Sequence, residues 1–420
     1  MLKFSLDIGP VKLYLYLLLL WLILAALSPI DFNVKLDALN VIVLIVLNVL
    51  LFLGFLFGQK LPIKSRGAGF VLANNNLVSK RLLPTVFSLG LIGFILKMYT
   101  LFIIKGVPLT LNVIDIRLLL LNDIGAGKGG VLSLVAGILF PFCLLFIPLY
   151  FSISDKSTKE KLLFKSMLLL LIVDSLFSGG GTSIVIVFLY CLFSTKNFII
   201  TKSRFILITL GVLTVFALAG YLWLLRLEQM FGGIQSYLHE FNGQWIASYP
   251  TSFIKEVDEE SFLSVVNYIF TWISYYFIHG VYEFIYLLNN FNSSLHTLGL
   301  SQGYLFFKFF GILGIDVPSV AAIASVNVIL GHYQTFWGLA YIDFGYMFLA
   351  EVFLLGIICS FLYRKKEEGY YSGIIFYPFI QSQLIYSFLS NPLNGQISYM
   401  IVSGTILLFL INYKKLQEQV

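Results

Sequence analysis

The sequence predicts an all-α polytopic membrane protein, organised as a single integral membrane domain over residues 1–420. Two observations lead to this fold class. First, 59% of the residues are hydrophobic and only 11% are charged, whereas a soluble domain carries about 25% charged residues. Second, the apolar residues come in runs of about 20, the length at which a helix crosses the hydrocarbon core of a bilayer. Helices are expected because they satisfy their own backbone hydrogen bonds in lipid.

Ten apolar runs are predicted to form transmembrane helices, some of them short. They lie near residues 13–29, 40–58, 84–106, 131–152, 162–177, 182–195, 204–225, 336–363, 373–391 and 398–413. The fifth and sixth runs are joined only by Ser178-Gly-Gly-Gly-Thr182, which predicts a tight hairpin because glycine accepts backbone angles that other residues avoid. Lys3 and Lys12 precede the first run as in a signal peptide, but the run continues to Leu27, so we expect an uncleaved helix.

The distribution of Lys and Arg predicts the orientation, because cytoplasmic segments carry an excess of basic residues. With the N-terminus inside, most of the 27 basic residues fall in inner segments. Both termini are then cytoplasmic, and residues 226–335 form one large extracytoplasmic loop. The net charge of +6 reflects this sorting and gives no reason to expect nucleic-acid binding. Segments 262–290 and 303–331 of the loop either lie along the outer interface as helices or insert, so twelve crossings is the competing count.

Ionisable residues within membrane helices are costly and point to functional sites. Lys97 and Asp174 lie in the outer parts of their predicted helices, Asp343 lies near the outer start of another, and Glu351 lies deeper. This pattern predicts a polar cavity that opens outward. Structural ion pairing, for example of Lys97 with Asp174, accounts for the same residues equally well.

Three basic residues at the outer boundary are candidates for phosphate binding: Arg117, Lys128 and Arg226. Arginine would hold a phosphate as a fork and lysine as a point charge. Roles that involve no ligand stay open as well. Anchoring at the interface fits Lys128 better than Arg117, and the helix dipole alone favours Arg226 at the C-terminal end of its helix. The nearby glycine-rich segment 125–130 lacks the P-loop pattern.

All four histidines fall in the predicted loop, at His239, His279, His296 and His332. We favour His332 as an acid/base residue because Tyr333 and Asp343 lie close to it in sequence. Asp343 is the second candidate. A lone histidine is more often a satisfied polar residue than a catalyst. No His-x-x-x-His or His-Glu-x-x-His pattern occurs, so neither a metal nor another cofactor is expected.

The segment His332-Tyr-Gln-Thr-Phe-Trp-Gly-Leu-Ala-Tyr-Ile-Asp-Phe-Gly345 resembles the corresponding region of bacterial O-antigen (oligosaccharide repeat-unit) polymerases of the Wzy type. The glycine hairpin Ser178–Ser183, the basic outer loop around Arg117 and the layout of about ten helices with one large outer loop are also similar. Related chains often carry an arginine in the hairpin. This chain has Gly180 and Gly181 there, which argues against a phosphate role for the hairpin.

The resemblance implies a membrane glycosyltransferase that acts at the outer face of the bacterial inner membrane. The donor would be a growing glycan on undecaprenyl diphosphate, and the acceptor one lipid-linked repeat unit. The expected partners are therefore this undecaprenyl-diphosphate-linked oligosaccharide, membrane lipid and a protein that regulates chain length. Undecaprenyl diphosphate is already activated, so this chemistry requires neither a nucleotide nor a metal.

Physical chemistry then assigns roles within the implied reaction. Arg226 and Arg117 would stabilise the departing diphosphate, and His332 or Asp343 would take the proton of the acceptor hydroxyl. The further residues expected to bind substrate are Tyr333, Lys128 and His239.

Two further functions fit the same sequence, and a purely structural membrane protein is a third alternative, although such a protein would not need charges gathered on one side. An O-antigen ligase would share the topology and the donor but would use sugars of the lipid A core as acceptor. A flippase, or another transporter of lipid-linked oligosaccharide, would bind the same substrate without reaction. Such transporters usually have repeated halves, and no internal repeat of fixed period occurs in this sequence.

Overall fold

The computed structural model of the chain is almost entirely helical in the part that it describes. The structure describes residues 9–63, 76–107, 130–177, 181–195, 247–250, 262–303, 335–388 and 396–419, with scattered positions between 206 and 236 and between 309 and 315. Its helices are α1 (Pro10–Leu27), α2 (Ala38–Lys60), α3 (Asn76–Tyr99), α4 (Gly130–Leu139), α5 (Phe142–Phe151), α6 (Thr158–Phe177), α7 (Gly181–Ser194), α8 (Phe262–Asn290), α9 (Phe336–Phe344), α10 (Phe348–Glu367), α11 (Tyr371–Tyr386) and α12 (Gln396–Gln419). Two short strands, β1 (Asp31–Phe32) and β2 (Ala247–Ser248), pair antiparallel.

Within the described residues, five helical segments are long and apolar enough to cross a membrane: Pro10–Leu27, Ala38–Lys60, Val78–Ile104, Gly130–Phe151 and Trp337–Glu367. Shorter apolar helices cover Ile184–Ser194 and Tyr399–Tyr413. The long helices expose Leu, Ile and Phe side chains such as Leu19, Ile45 and Phe57. A helix that turns large apolar side chains outward requires an apolar solvent. The predicted fold class, an all-α membrane protein, is confirmed at this level.

Local sequence explains where several helices begin and change course. Asp37 caps α2 by accepting a hydrogen bond from the Asn40 N–H at 2.8 Å, and Thr335 caps α9 through its hydroxyl at 3.2 Å from the Gly338 nitrogen. Such caps satisfy backbone donors that a helix start leaves unpaired. The predicted helix at 131–152 is divided into α4 and α5 by a turn at Pro141, whose ring cannot continue the backbone ladder.

Two large apolar clusters form the interior of the described part of the chain. One is built around Tyr14, Phe55 and Phe348 and joins α1, α2, α8, α9 and α10 with part of α7 and the C-terminal part of α11. The other is built around Phe146 and Tyr371 and joins α3, α5, α6 and α12 with part of α7 and the N-terminal part of α11. Helices α7 and α11 therefore connect the two halves of the bundle. In lipid, close packing rather than exclusion of water holds such helices together.

Glycine permits a close helix contact between α2 and α10. A Cβ atom on Gly54 would collide with the carbonyl oxygen of Phe353, and one on Gly356 would collide with that of Leu51. Small residues of this kind let two helix backbones approach closely in a membrane. At the end of the contact, the Arg364 guanidinium donates a hydrogen bond to the carbonyl oxygen of Leu61 at 2.7 Å.

Basic side chains gather at one end of the bundle, which we call the basic end. The Ser79 hydroxyl is hydrogen-bonded to Ser152 at 2.9 Å and to Tyr371 at 3.1 Å, which ties the start of α3 to the end of α5 and the start of α11. Helices α2 and α10 end at the same level. Lys and Arg residues at these helix ends and in the α5–α6 connection are Lys12, Lys60, Lys80, Arg81, Lys156, Lys159, Lys161, Lys165, Arg364, Lys365 and Lys366.

Helix α8 lies against the opposite end. The Phe32 ring, in the connection between α1 and α2, stacks on Tyr282 with ring centroids 4.1 Å apart and also faces Tyr275. Further along the helix, the Asn289 carboxamide donates a hydrogen bond to the Lys35 carbonyl oxygen at 2.9 Å. The stretch of α8 from Tyr275 to Asn289, about 21 Å long, therefore runs along the connection between α1 and α2. Of the two arrangements open for 262–290, these contacts favour a helix laid on the end of the bundle.

Candidate functional site

A cavity of about 370 Å³ lies inside the bundle, away from the basic end. Its walls come from the C-terminal parts of α3 and α6, from α4, α5 and α7, and from α11 and α12. The volume falls in the range of about 300–1,000 Å³ that is usual for small-molecule sites. The polar and charged side chains of the lining include Lys97, Lys105, Asp174, Tyr190, Gln383 and Tyr399.

Small residues and a change of helix type shape the wall. A Cβ atom on Gly93 would collide with the backbone of Phe140, and one on Gly137 would collide with the ring of Tyr399. These glycines let α3, α4 and α12 come together beside the cavity. Helix α3 ends in a π-helical turn at Thr100–Ile104, where the Thr100 hydroxyl donates to the Leu96 carbonyl oxygen at 2.8 Å. π-helical turns are rare in proteins, and those that occur often lie at functional sites.

An ion pair stands in this wall. The Lys97 ammonium nitrogen lies 2.5 Å from a carboxylate oxygen of Asp174, and the lysine also lies 4.1 Å from the centroid of the Phe140 ring. The Asp174 side chain is 4% exposed and the Lys97 side chain 35% exposed. Sequence reasoning offered a polar cavity or a structural ion pair for these residues. The structure pairs Lys97 with Asp174 in the wall of a cavity that Asp343 and Glu351 do not line.

Two neutral polar atoms in the same wall have no hydrogen-bond partner among the described residues: the Tyr190 hydroxyl and Oε1 of Gln383. The Tyr190 side chain is completely buried. An unpaired buried group of this kind costs about 1–3 kcal/mol. Sequence reasoning missed both residues. The available signal was a polar side chain inside an apolar helix, which does not tell which helix face meets a cavity.

Asp343 lies outside this cavity and orders a neighbouring segment. Its fully buried carboxylate accepts hydrogen bonds from the Thr297 hydroxyl, from the Ser301 N–H at 2.9 Å and from the Gln302 N–H at 3.0 Å. Glu351 accepts a further hydrogen bond from the Gln302 carboxamide at 3.2 Å. These contacts hold residues 297–302 against the start of α10. The role of Asp343 as a catalytic base stays a prediction.

A buried His–Glu pair occupies α8. Nδ1 of His279 is 2.8 Å from the Tyr275 carbonyl oxygen, and Nε2 faces Oε1 of Glu283 at 3.9 Å. Because a carbonyl oxygen only accepts hydrogen bonds, Nδ1 carries the proton. Burial raises the pKa of the Glu283 carboxyl to about 7, and the neighbouring His279 partly offsets this rise. A carboxyl with this pKa changes its charge near neutral pH.

His296 has a structural contact, since its Nδ1 lies 3.1 Å from the Ile342 carbonyl oxygen and its ring packs on Gly345. The other residues that the sequence singled out lie outside the described part of the chain: Arg117, Lys128, Arg226, His239, His332 and Tyr333. Within the described ranges, no group of three or more His, Cys, Asp or Glu side chains is placed to hold a metal ion.

Comparison of the chain with protein-family models, with curated proteins and with solved structures gives no match.

Proposed function

We propose that this chain is a membrane glycosyltransferase that polymerises undecaprenyl-diphosphate-linked oligosaccharide repeat units, as for O-antigen or capsule. The observation that supports it best is the cavity, in which the Lys97–Asp174 ion pair stands among apolar side chains. A lipid-linked oligosaccharide is anionic at its diphosphate and apolar along its hydrocarbon tail. A site for its head group needs cations at membrane depth, which helices otherwise avoid.

The basic end is placed on the cytoplasmic side of the inner membrane in this proposal, because Lys and Arg are enriched on that side. Both termini are then cytoplasmic, the helices make ten crossings, and residues 226–335 are extracytoplasmic. The cavity belongs to the outer half of the bundle in this orientation. A lipid-linked repeat unit that has been translocated to the outer face would reach it there.

The proposed reaction is a substitution at the anomeric carbon. A hydroxyl oxygen of the acceptor repeat unit attacks the anomeric carbon of the donor glycan and forms the new glycosidic bond. The bond from that carbon to the phosphate oxygen breaks, and the lipid diphosphate leaves with the electron pair. The hydroxyl proton passes to a base. His332 is the first candidate, and Asp343 is second because its carboxylate already accepts three hydrogen bonds.

Positive charge beside the leaving group would lower the barrier, since negative charge grows on the diphosphate as the bond breaks. Lys97 and Lys105 both line the cavity and supply such charge as ammonium groups. Arg117 and Arg226 are proposed to bind the same diphosphate through bidentate hydrogen bonds from their guanidinium groups. Tyr333, Lys128 and His239 are proposed to bind other parts of the substrate.

Deletion of the gene, followed by a gel of surface polysaccharide, tests the function. Loss of a polymerase leaves single repeat units on the lipid A core and removes the ladder of longer chains. Loss of a ligase would instead leave polymer on the lipid carrier and none on the core. Loss of a flippase would leave no repeat units at the surface. Either of the last two results would overturn the proposal in favour of the corresponding function.

A further inference from the structure

The Tyr190 hydroxyl and Oε1 of Gln383 stand out among the buried polar atoms of the bundle. Several neutral side-chain atoms lack a hydrogen-bond partner within the described residues, among them both polar atoms of Gln381, and the Tyr190 and Gln383 atoms belong to residues that line the cavity. The nearby Ser382 hydroxyl on α11 is satisfied by its own helix, since it donates to the Pro378 carbonyl oxygen at 2.7 Å. Nearly all buried polar groups in proteins are paired, so an exception in a residue that lines a cavity points to a ligand.

The chemistry of the two atoms restricts that ligand. A tyrosine hydroxyl both donates and accepts hydrogen bonds, whereas a carboxamide oxygen only accepts them. Gln383 therefore needs a partner that carries a hydrogen, which an ionised diphosphate does not. A sugar hydroxyl can donate to Gln383 and also pair with Tyr190. If the Gln383 carboxamide is flipped, its nitrogen takes the place of the oxygen and donates a hydrogen bond, which a sugar hydroxyl can accept.

The charges and the size of the cavity agree with a sugar joined to a phosphate. Lys97 and Lys105 line the same cavity and can hold the anionic group. The volume of about 370 Å³ lies within the range of about 300–1,000 Å³ that is usual for small-molecule sites, which is enough for one sugar ring with its substituents.

We infer that Tyr190 and Gln383 bind hydroxyl groups of the sugar that is joined directly to the lipid diphosphate. The inference rests on the proposed function and goes further, because it makes these two residues determinants of donor specificity. A donor whose first sugar lacks the matching hydroxyl would leave both groups unpaired. The protein would then discriminate against it even where the diphosphate and the lipid are identical.

Binding measurements on the full chain in lipid nanodiscs test the inference. The two probes are undecaprenyl diphosphate that carries one sugar and undecaprenyl diphosphate without sugar. We expect Tyr190→Phe and Gln383→Met each to weaken binding of the sugar-bearing probe about 3- to 10-fold. Binding of the sugar-free probe should not change, because neither substitution removes a cation.

Thermal unfolding gives a second test, because the expected change in Tm differs between Tyr190→Phe and a control substitution of a hydrogen-bonded tyrosine. Tyr190→Phe removes an unpaired buried hydroxyl, so the Tm of the ligand-free protein should be unchanged or higher by about 1–2 °C. Tyr14→Phe is the matched control, because the Tyr14 hydroxyl bonds to Oδ1 of Asn48 at 3.0 Å and lies outside the cavity. This control should lower the Tm and leave the binding of both probes unchanged.

Three outcomes would overturn the inference. Equal loss of affinity for both probes would assign Tyr190 to the phosphates. Unchanged affinity for both would mean that water alone satisfies the two groups. A fall in the Tm of Tyr190→Phe like that of the Tyr14→Phe control would show a structural role. In each case the wild-type protein would still bind the sugar-bearing probe and polymerise repeat units, so the proposed function would stand. Failure of the wild-type protein in both assays would instead remove the proposed function itself.

Discussion

The ammonium nitrogen of Lys97 in α3 lies 2.5 Å from a carboxylate oxygen of Asp174 in α6. The two residues join neighbouring helices and also line the cavity. One pair therefore has a packing role and a place in the candidate site. These roles can be separated, because a structural pair is replaceable by neutral side chains whereas a charge that meets substrate is not.

The first prediction compares single and double substitutions of this pair. Lys97→Met leaves the buried Asp174 carboxylate unpaired and should destabilise the protein by about 3–5 kcal/mol. The double variant Lys97→Met/Asp174→Asn has no unpaired charge, so its Tm should return close to that of wild type. Its surface polysaccharide should nevertheless have a weaker ladder, because Lys97, one of the cations proposed for the diphosphate, is gone. A normal ladder in this stable double variant would reduce the pair to a structural contact.

The second prediction concerns the chemical step. His332→Ala should leave single repeat units on the lipid A core, because loss of an acid/base group slows proton transfer by roughly 10²–10⁴-fold without removing the binding surface. Gels of surface polysaccharide at matched protein level measure this. His296→Ala is the control, since His296 packs on Gly345. Absence of all surface repeat units in His332→Ala would favour transport, and a normal ladder would move the search for the base to Asp343 or His239.

The third prediction is a pH dependence of stability. Folding raises the pKa of the Glu283 carboxyl from its usual 4.5 to about 7, so the folded protein binds the proton more tightly than the unfolded chain. This contribution is fully present below pH 4.5 and is lost as the pH rises to about 7, with a size on the order of 3 kcal/mol.

Thermal unfolding between pH 5 and pH 8 measures this effect. The Tm of wild type should fall across that window. Glu283→Gln keeps a neutral side chain of similar shape and should flatten the fall. Glu368→Gln, at an exposed ion pair with Arg364, is the control and should keep the wild-type slope. Equal slopes in wild type and Glu283→Gln would contradict the assignment.

The fourth prediction tests the orientation. Asp31 and Ser248 pair across the β1–β2 ladder, so both must face the same side. A cysteine at either position should react with a membrane-impermeant thiol reagent in cells with a permeabilised outer membrane. A cysteine in place of Lys159 at the basic end should react only after lysis of the inner membrane. The reverse labelling pattern would mean that the basic end faces away from the cytoplasm and that the cavity lies in the inner half of the bundle. The unsubstituted chain reports background from its native cysteines.

Sequence reasoning located most of the described apolar helices and two charged residues of the cavity, Lys97 and Asp174, for a physical reason. Apolar run length is set by bilayer thickness, and Lys97 and Asp174 are conspicuous in such runs because charge there is costly. The hydrogen-bonding groups of the cavity were not identifiable in this way. Tyr190 and Gln383 belong to helices almost 200 residues apart, and only the packing of α7 against α11 decides that both face one space.

The hydrogen bonds of Asp343 are a second case in which the sequence does not predict the contacts of a residue. Its donors belong to Thr297, Ser301 and Gln302, more than 40 residues earlier in the chain. Proximity in sequence to His332 made Asp343 a candidate base. Its actual hydrogen-bond partners depend on how segment 297–302 folds back on α9, which no local pattern encodes.

The glycine contact between α2 and α10 has a consequence for biosynthesis. Gly54 and Gly356 touch in the finished protein, yet about 300 residues separate them in the chain. At about 5–20 residues per second, the ribosome needs about 15–60 s to reach the second helix after the first has been made. Throughout that time the face of α2 around Gly54 lacks its final partner. The bundle therefore matures late, when α10 packs on that face and α11 and α12 supply the last walls of the cavity. Slow or arrested translation in the final quarter of the gene should yield inserted but incomplete molecules, open to the quality-control proteases of the membrane.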